Sequence, residues 1–291
     1  MEKTIFSILA LLILTIFPSY ACDIHGKTGF LPENNLKISE WDKATNGMTQ
    51  ERFLAIIKRV SDIYAPIVKS KGGELSMINK WSDDTVNALA DRNGDIWIVE
   101  MFGGLARHPL MTDDGFALIV CHELAHHVGG APNKPFTWAA SEGQADYFGA
   151  MKCLRRVLEK DDNTMIVAKM TVDAEATKQC GLIYKNANEL ALCQRIAMVG
   201  KSLGNFIASF TPMHNLVALN TPAKNIVLTS LEEHPAAQCR LDTFFQGILC
   251  DKSYDQDIDN KDPIIGSCIA RDGHKVGTRP LCWYKPGPNE I

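Results

Sequence analysis

The sequence predicts an α+β fold that is mainly helical, with a small antiparallel sheet or hairpin just before a helix that carries a His-Glu-x-x-His motif. Two further observations support this prediction. The 291 residues are 46% hydrophobic and 22% charged, which suits one large domain with a substantial core. Apolar residues recur at helical spacing over most of the chain, and the β-rich runs are confined to residues 75–100.

The first predicted element is a helix over residues 48–71, where apolar side chains recur every three to four positions. Gly72 and Gly73 end it. Three extended runs follow, with a turn signal between the second and the third, so we expect a hairpin there. The extended runs cover residues 75–81, 85–90 and 95–100, and the turn signal covers residues 91–94.

Helices are predicted for most of the remaining chain. Thr112 is placed to cap a helix that runs to Val128, where Gly129 and Gly130 stop it. The helices expected after it cover residues 138–160, 173–179, 188–210 and, in part, 230–249.

The first 21 residues have the features of a secretory signal peptide. A nearly continuous apolar run covers residues 5–17, and the small residues Ser19 and Ala21 favour cleavage after Ala21. The apolar run is too short for a comfortable membrane span. We therefore expect an exported protein, periplasmic or extracellular, with a domain at residues 22–249 and an irregular cysteine-containing tail at 250–291 packed on it.

The nine cysteines predict disulfides, because export places them in an oxidising compartment. Nine is an odd number, so at least one cysteine is unpaired within the chain. Cys121, in the middle of a predicted helix, is interpreted as a small buried hydrophobic residue, which leaves Cys22 among eight paired cysteines. Alternatively, Cys22 carries a lipid, and only then is a membrane expected as a partner.

The charge balance argues against nucleic acid as a partner. The formal net charge is -4, and the chain has no basic stripe. Proteins that bind nucleic acid usually carry a concentrated positive surface.

The motif His122-Glu123-Leu124-Ala125-His126 carries the most chemical information in the chain. Positions i and i+4 of a helix lie about 40° apart around its axis, so His122 and His126 share one face and can hold one metal ion. Glu123 lies beside them and is placed to act on a metal-bound water.

A third ligand is predicted in the following helix. Glu142 and Asp146 are also four residues apart, and a Gly-Gly turn with a loop of about a dozen residues can fold their helix back onto the first. Glu142 would complete a zinc site, while Asp146 would accept a hydrogen bond from a ligand histidine. The alternative is that these carboxylates only form a solvated helix face.

Several motifs occur in an order that resembles a known family. They are Asn87-Ala88-x-Ala90, Gly94-x-Ile96-x-Ile98, Gly103-Gly104-Leu105, His122-Glu123-x-x-His126, Glu142-x-x-x-Asp146 and His234-Pro235 with Arg240-Leu241. Together they resemble the core of the HtpX/BepA-like zinc metallopeptidases, a gluzincin family that includes the CAAX prenyl proteases. The resemblance covers residues 83–147 and 228–242. That family usually has a longer insert before the third ligand, which here follows His126 by 16 positions.

The resemblance implies a gluzincin-type zincin that binds one Zn²⁺ and cleaves polypeptides with a zinc-activated water. By this resemblance, His122, His126 and Glu142 bind zinc, and Glu123 is the general base. Asp146 and Arg240 support the ligands, and His234 stabilises the oxyanion or acts as a gate. An edge strand at Ile96, Trp97 and Ile98 pairs with the substrate backbone. His234 could instead be packed in a loop, and Arg240 could simply pair with a carboxylate such as Asp146.

Two rival functions stay open at this point. In the first, the protein is a chaperone or quality-control module whose zinc site is latched by His234 as a fourth ligand. In the second, the zinc site hydrolyses a bond other than a peptide bond.

Overall fold

The computed structural model describes residues 29–212 and 215–291 of the chain. The predicted signal peptide, Cys22 and His25 lie outside the described residues, as do Met213 and His214. The described part is mainly helical with one three-stranded sheet, so the prediction of a mainly helical α+β fold is confirmed at that level.

The sheet contains the predicted hairpin and one additional strand. Its strands are β1 Glu74–Lys80, β2 Ala88–Asn93 and β3 Ile96–Phe102. β2 and β3 pair antiparallel across a short turn, whereas β1 pairs parallel to β3. The sheet is therefore mixed rather than antiparallel, because residues 81–87 carry the chain from β1 to the far side of β3.

The position of β3 in the sheet contradicts one prediction. The strand order is β1-β3-β2, so β3 is the central strand and its backbone pairs with neighbours on both sides. Ile96, Trp97 and Ile98 therefore do not form an edge strand that could accept a substrate backbone. The edges of this sheet are β1 and β2.

The predicted helices occur in the predicted order, with one late start and two short helices, α2 and α6, that were not predicted. The predicted helix over residues 138–160 begins only at Glu142, because residues 131–141 form a loop. Its regular part is also interrupted by a π-helical segment, Gly149–Leu154. The helices are α1 Gln50–Ser70, α2 Gly103–Arg107, α3 Asp113–Val128, α4 Glu142–Phe148, α5 Arg155–Leu158, α6 Asn163–Val167, α7 Ala174–Ile183, α8 Ala187–Ala208 and α9 Ala237–Leu249.

Helix α3 lies in the centre of the core. The hydroxyl of Thr112 caps it by accepting a hydrogen bond from the Gly115 amide at 3.0 Å, as predicted. Every residue from Gly115 to Val128 is buried, and the helix packs against α1, α4, α8 and the sheet. A helix buried on all sides can hold polar side chains only if they are paired or bind an ion.

Four disulfides link the described cysteines, and they correct the cysteine assignment. They join Cys121 to Cys153, Cys180 to Cys193, Cys239 to Cys282 and Cys250 to Cys268. The prediction that Cys121 is unpaired was wrong, because the π-helical segment brings Cys153 against α3. These eight cysteines pair with one another, and the prediction that Cys22 is paired concerns a residue outside the described part of the chain.

The disulfides bear on where the protein works. Loops of 13 to 43 residues are closed by these bonds, and each bond of this kind typically stabilises a fold by about 2–4 kcal/mol. Four such bonds indicate an oxidising, exported environment. Among the described residues, no helix is long and apolar enough to cross a membrane.

Candidate metal centre

Three side chains from α3 and α4 converge on one point in the core. His122 Nε2 lies 3.2 Å and His126 Nε2 lies 3.7 Å from the same oxygen, Glu142 Oε2. Their ligand atoms all lie within 4.8 Å of one another, and all three side chains are buried. The structure thus brings together the three residues that the sequence predicted as ligands.

Each histidine has its second ring nitrogen engaged by the protein. His122 Nδ1 lies 2.7 Å from Asp146 Oδ1, and His126 Nδ1 lies 2.8 Å from the Ala140 carbonyl oxygen. A carbonyl oxygen only accepts, so Nδ1 of His126 carries the proton and Nε2 offers a lone pair. Both imidazoles are thereby turned so that Nε2 faces Glu142, the arrangement that metal-binding histidines commonly show.

Asp146 is held in turn by Arg240 of α9. The guanidinium donates from Nε to Oδ2 at 2.7 Å and from a terminal nitrogen to Oδ1 at 2.8 Å, a two-pronged ion pair that is fully buried. Burial raises the pKa of Asp146, but the charges of Arg240 and His122 outweigh this effect and lower it. Asp146 and Arg240 thus make the contacts that their predicted supporting roles require.

Replacement of Asp146 by Asn is expected to weaken metal binding by about tenfold to hundredfold, because a hydrogen-bonded carboxylate no longer orients His122. The measurement is zinc affinity by competition with a coloured chelator. Asp114→Asn is a matched control, since Asp114 accepts a similar two-pronged pair from Arg195 at the far end of α3. Equal losses in both variants would contradict a specific role for Asp146.

The two histidine ligands have different proton affinities in the absence of a metal. Burial alone would lower the pKa of His122, but Asp146 raises it to about 9. Burial lowers the pKa of His126 to about 3, and the nearby Glu142 charge offsets only part of this shift. At neutral pH, a metal ion that binds this group would therefore displace a proton from His122 but not from His126.

Glu142 also contacts Lys134, a residue that sequence reasoning missed. Lys134 Nζ lies 2.9 Å from Glu142 Oε1, which leaves Oε2 directed at the histidines. Burial raises the pKa of Glu142, but His234 and Lys134 together hold it well below its usual range. Burial lowers the pKa of His234 itself to about 4, so His234 is neutral at pH 7. Of His234 and Lys134, only Lys134 is then positively charged beside Glu142. Nothing in the sequence around Lys134 identifies this contact, since the loop conformation decides it.

His234 lies beside the three ligands, as predicted. Its Nε2 is 3.2 Å from Glu142 Oε2, and its side chain is 14% exposed, whereas the ligand side chains are inaccessible. His234 does not belong to the group whose ligand atoms all lie within 4.8 Å of one another. The side chain is thus next to the centre, and its Nε2 lies as close to Glu142 Oε2 as that of His122.

Glu123, the predicted general base, is fully buried on α3. Its carboxylate charge acts on Arg240, the residue that holds Asp146. Burial lowers the pKa of Arg240, but the charge of Asp146 raises this pKa more strongly, and the charges of Glu142 and Glu123 raise it further. Glu123 therefore shares one electrostatic environment with the ligands and Arg240.

Two other groups are excluded as ligands of this centre. His127 points away from it, because Nε2 contacts the Ile98 carbonyl at 2.9 Å and Nδ1 accepts a hydrogen bond from Arg92 at 3.2 Å. A second cluster contains Asp251, Cys268 and His274, but Cys268 Sγ is bonded to another cysteine and is not available as a thiolate.

The tail after α9 supports α4 from outside, which sequence reasoning also missed. A Cβ at Gly143 would lie 2.2 Å from the Trp283 ring, so only glycine permits this contact. The next residues of α4 are held by two hydrogen bonds. They run from Arg279 Nε to Gln144 Oε1 at 2.7 Å and from Tyr147 Oη to the Gly277 carbonyl at 2.5 Å.

The donor set fits a metal ion. His122 Nε2, Glu142 Oε2 and the neighbouring His234 Nε2 are buried and form no regular hydrogen bond among the described residues, although each nitrogen lies 3.2 Å from that oxygen, so an ion among them would satisfy these atoms. Two imidazole nitrogens and one carboxylate oxygen are also typical of catalytic zinc sites. The group of His122, His126 and Glu142 can therefore hold a metal ion.

Comparisons with known proteins identify no relative. No family model matches the chain, and neither the curated proteins nor the solved structures contain a significant match.

Proposed function

We propose that this protein is a zinc-dependent endopeptidase of exported proteins, a branch of the HtpX/BepA-like gluzincins. The observation that carries this proposal is the buried group of His122, His126 and Glu142, with Glu123 adjoining it on α3. The four disulfides support action outside the cytoplasm. Membrane attachment through Cys22 stays a prediction.

The protein groups have distinct roles in the proposed reaction. A zinc ion held by the three ligands would supply Lewis acidity toward the scissile carbonyl and the attacking water. Glu123 takes a proton from that water and passes it to the leaving amine. Because its pKa is lowered to about 4, His234 is neutral at pH 7, and it donates a hydrogen bond to the oxyanion that develops on the carbonyl.

We assign substrate pairing to β2 instead of β3. An extended polypeptide can add only to an edge strand, and β2 is the edge strand that packs against α3. The Phe30 amide already donates to the Ala88 carbonyl at 3.0 Å, so the chain's own residues 29–31 occupy this edge at Ala88, and a substrate would add to the remainder of β2. The Phe30 ring also lies 5.0 Å from the ring of His122, which places this edge beside the centre.

Removal of the metal provides the direct test. The purified protein should contain one zinc ion per chain and cleave unfolded casein, and a chelator should abolish cleavage until zinc is added back. Magnesium should not restore cleavage, since it prefers oxygen ligands. A zinc-loaded protein that cleaves neither casein nor a peptide library would contradict the proposal.

A second candidate function is a latched zinc-binding chaperone or quality-control module. It is favoured by one observation, the 3.2 Å separation between His234 Nε2 and Glu142 Oε2. A small movement would make His234 a fourth ligand and exclude the attacking water. The two candidates predict opposite effects of removing His234.

A further inference from the structure

The two helices that carry the ligands are joined covalently next to the metal centre. Cys121 directly precedes His122 on α3, and Cys153 lies in the π-helical segment that continues α4. The disulfide between them closes a loop with a sequence separation of 32. His122, His126 and Glu142 all lie inside this loop, so every ligand belongs to one covalent ring.

The helices are also in close contact at this point. A Cβ placed on Gly149 would lie 3.4 Å from the Leu118 side chain and 3.6 Å from the backbone nitrogen of His122. The backbone of the π-helical segment therefore lies against α3 at the level of the first ligand. Cys153 lies about one helical turn beyond Gly149, so its bond to Cys121 fixes this crossing.

The ligand geometry depends on the relative position of α3 and α4. His122 must meet Glu142 and Asp146 of α4 at the same time, with contacts of 3.2 Å and 2.7 Å. Metal coordination tolerates displacements of only a few tenths of an ångström. A slide of one helix along the other would lengthen both contacts together.

We propose that Cys121 and Cys153 are positioning residues of the metal centre, so that high metal affinity requires their disulfide. This inference rests on the proposed function for the identity of the metal. When the bond forms, the two thiols lose two protons and two electrons to a disulfide oxidant, which becomes a dithiol. The complete centre is thus assembled only in an oxidising compartment, and a reduced precursor holds zinc weakly.

The chain offers a matched control for this proposal. The bond between Cys180 and Cys193 joins α7 to α8, and neither helix carries a ligand. All four cysteines are buried. Loss of either disulfide is expected to lower the thermal stability of the protein. Only loss of the disulfide between Cys121 and Cys153 should change the affinity of the protein for zinc.

The experiment compares the zinc affinity of two double variants, Cys121→Ala with Cys153→Ala and Cys180→Ala with Cys193→Ala. Affinity is measured by chelator competition, at a temperature where near-ultraviolet circular dichroism shows both to be folded. The first variant should bind zinc about tenfold to hundredfold more weakly, and the second as the wild type does. Equal affinities in the two variants would overturn the proposal.

A second measurement uses the wild-type protein and does not depend on the folding of a variant. The zinc-loaded chain is reduced stepwise with a dithiol, released zinc is recorded, and alkylated cysteines are mapped by mass spectrometry. Zinc release should follow alkylation of Cys121 and Cys153. Zinc retained after both are alkylated, or released while both are still bonded, would overturn the proposal. Neither readout requires peptide cleavage, so failure of the peptidase proposal is recognised separately.

Discussion

Glu123→Gln should strongly reduce peptide cleavage while zinc stays bound. The variant keeps the size of the side chain but removes the carboxylate that accepts a proton from the attacking water. General base catalysis contributes about 10²–10⁴-fold to the rate. The cleavage rate of the variant should therefore be lower than that of the wild type by a factor in this range. The measurements are the initial rate on casein and the zinc content of the same preparation.

Glu142→Gln is the matched comparison for this variant. Glu142 and Glu123 are both buried, but only Glu142 belongs to the group of ligand atoms. Glu142→Gln should therefore lose both zinc and cleavage, whereas Glu123→Gln loses only cleavage. A Glu123→Gln protein that cleaves casein at the wild-type rate would contradict the peptidase proposal, because no other described carboxylate follows a ligand histidine directly.

Local helix geometry made part of the centre predictable from the sequence. The spacing of His122 and His126 places them on one helix face wherever the helix lies, and Glu142 and Asp146 follow the same rule. The bounds of α3 were also predictable, because Thr112 and Gly129 provide signals for its start and end. These predictions require no knowledge of how distant segments pack.

The remaining contacts of the centre come from backbone atoms and from packing between segments. The Ala140 carbonyl that orients His126 has no side-chain signal, because any residue offers the same acceptor. Lys134 reaches Glu142 only because of the turn in residues 131–141. Trp283 lies against Gly143 although 140 positions separate them, and no periodicity in the sequence reports such a contact.

Two of the corrected predictions, the edge strand and the unpaired Cys121, have related physical causes. Hydrophobic alternation shows that residues 96–98 form a strand, but strand order is set by the crossing of residues 81–87, which carries no pattern. Similarly, an odd number of cysteines indicates that one is unpaired without indicating which one. The π-helical segment decides this, because it brings Cys153 onto α3.

His234→Ala should separate the two candidate functions, because they predict opposite changes in activity. If His234 stabilises the oxyanion, its loss removes one donor, and kcat should fall by about 10²–10³-fold with zinc content unchanged. If His234 latches the centre, its loss frees the fourth position, and cleavage should appear or increase. We expect the decrease, because His122, His126 and Glu142 already supply the three protein ligands that a catalytic zinc site uses.

The charge state of His234 supports the same expectation. Burial lowers its pKa to about 4 against the opposing effect of Glu142, so at neutral pH the ring is uncharged and keeps one N–H to donate. The matched control is His108→Ala, since His108 is also shielded from solvent but packs on Phe206 away from the ligands. A loss of zinc in step with the loss of turnover would instead assign His234 a structural role, and a gain of cleavage would establish the latch.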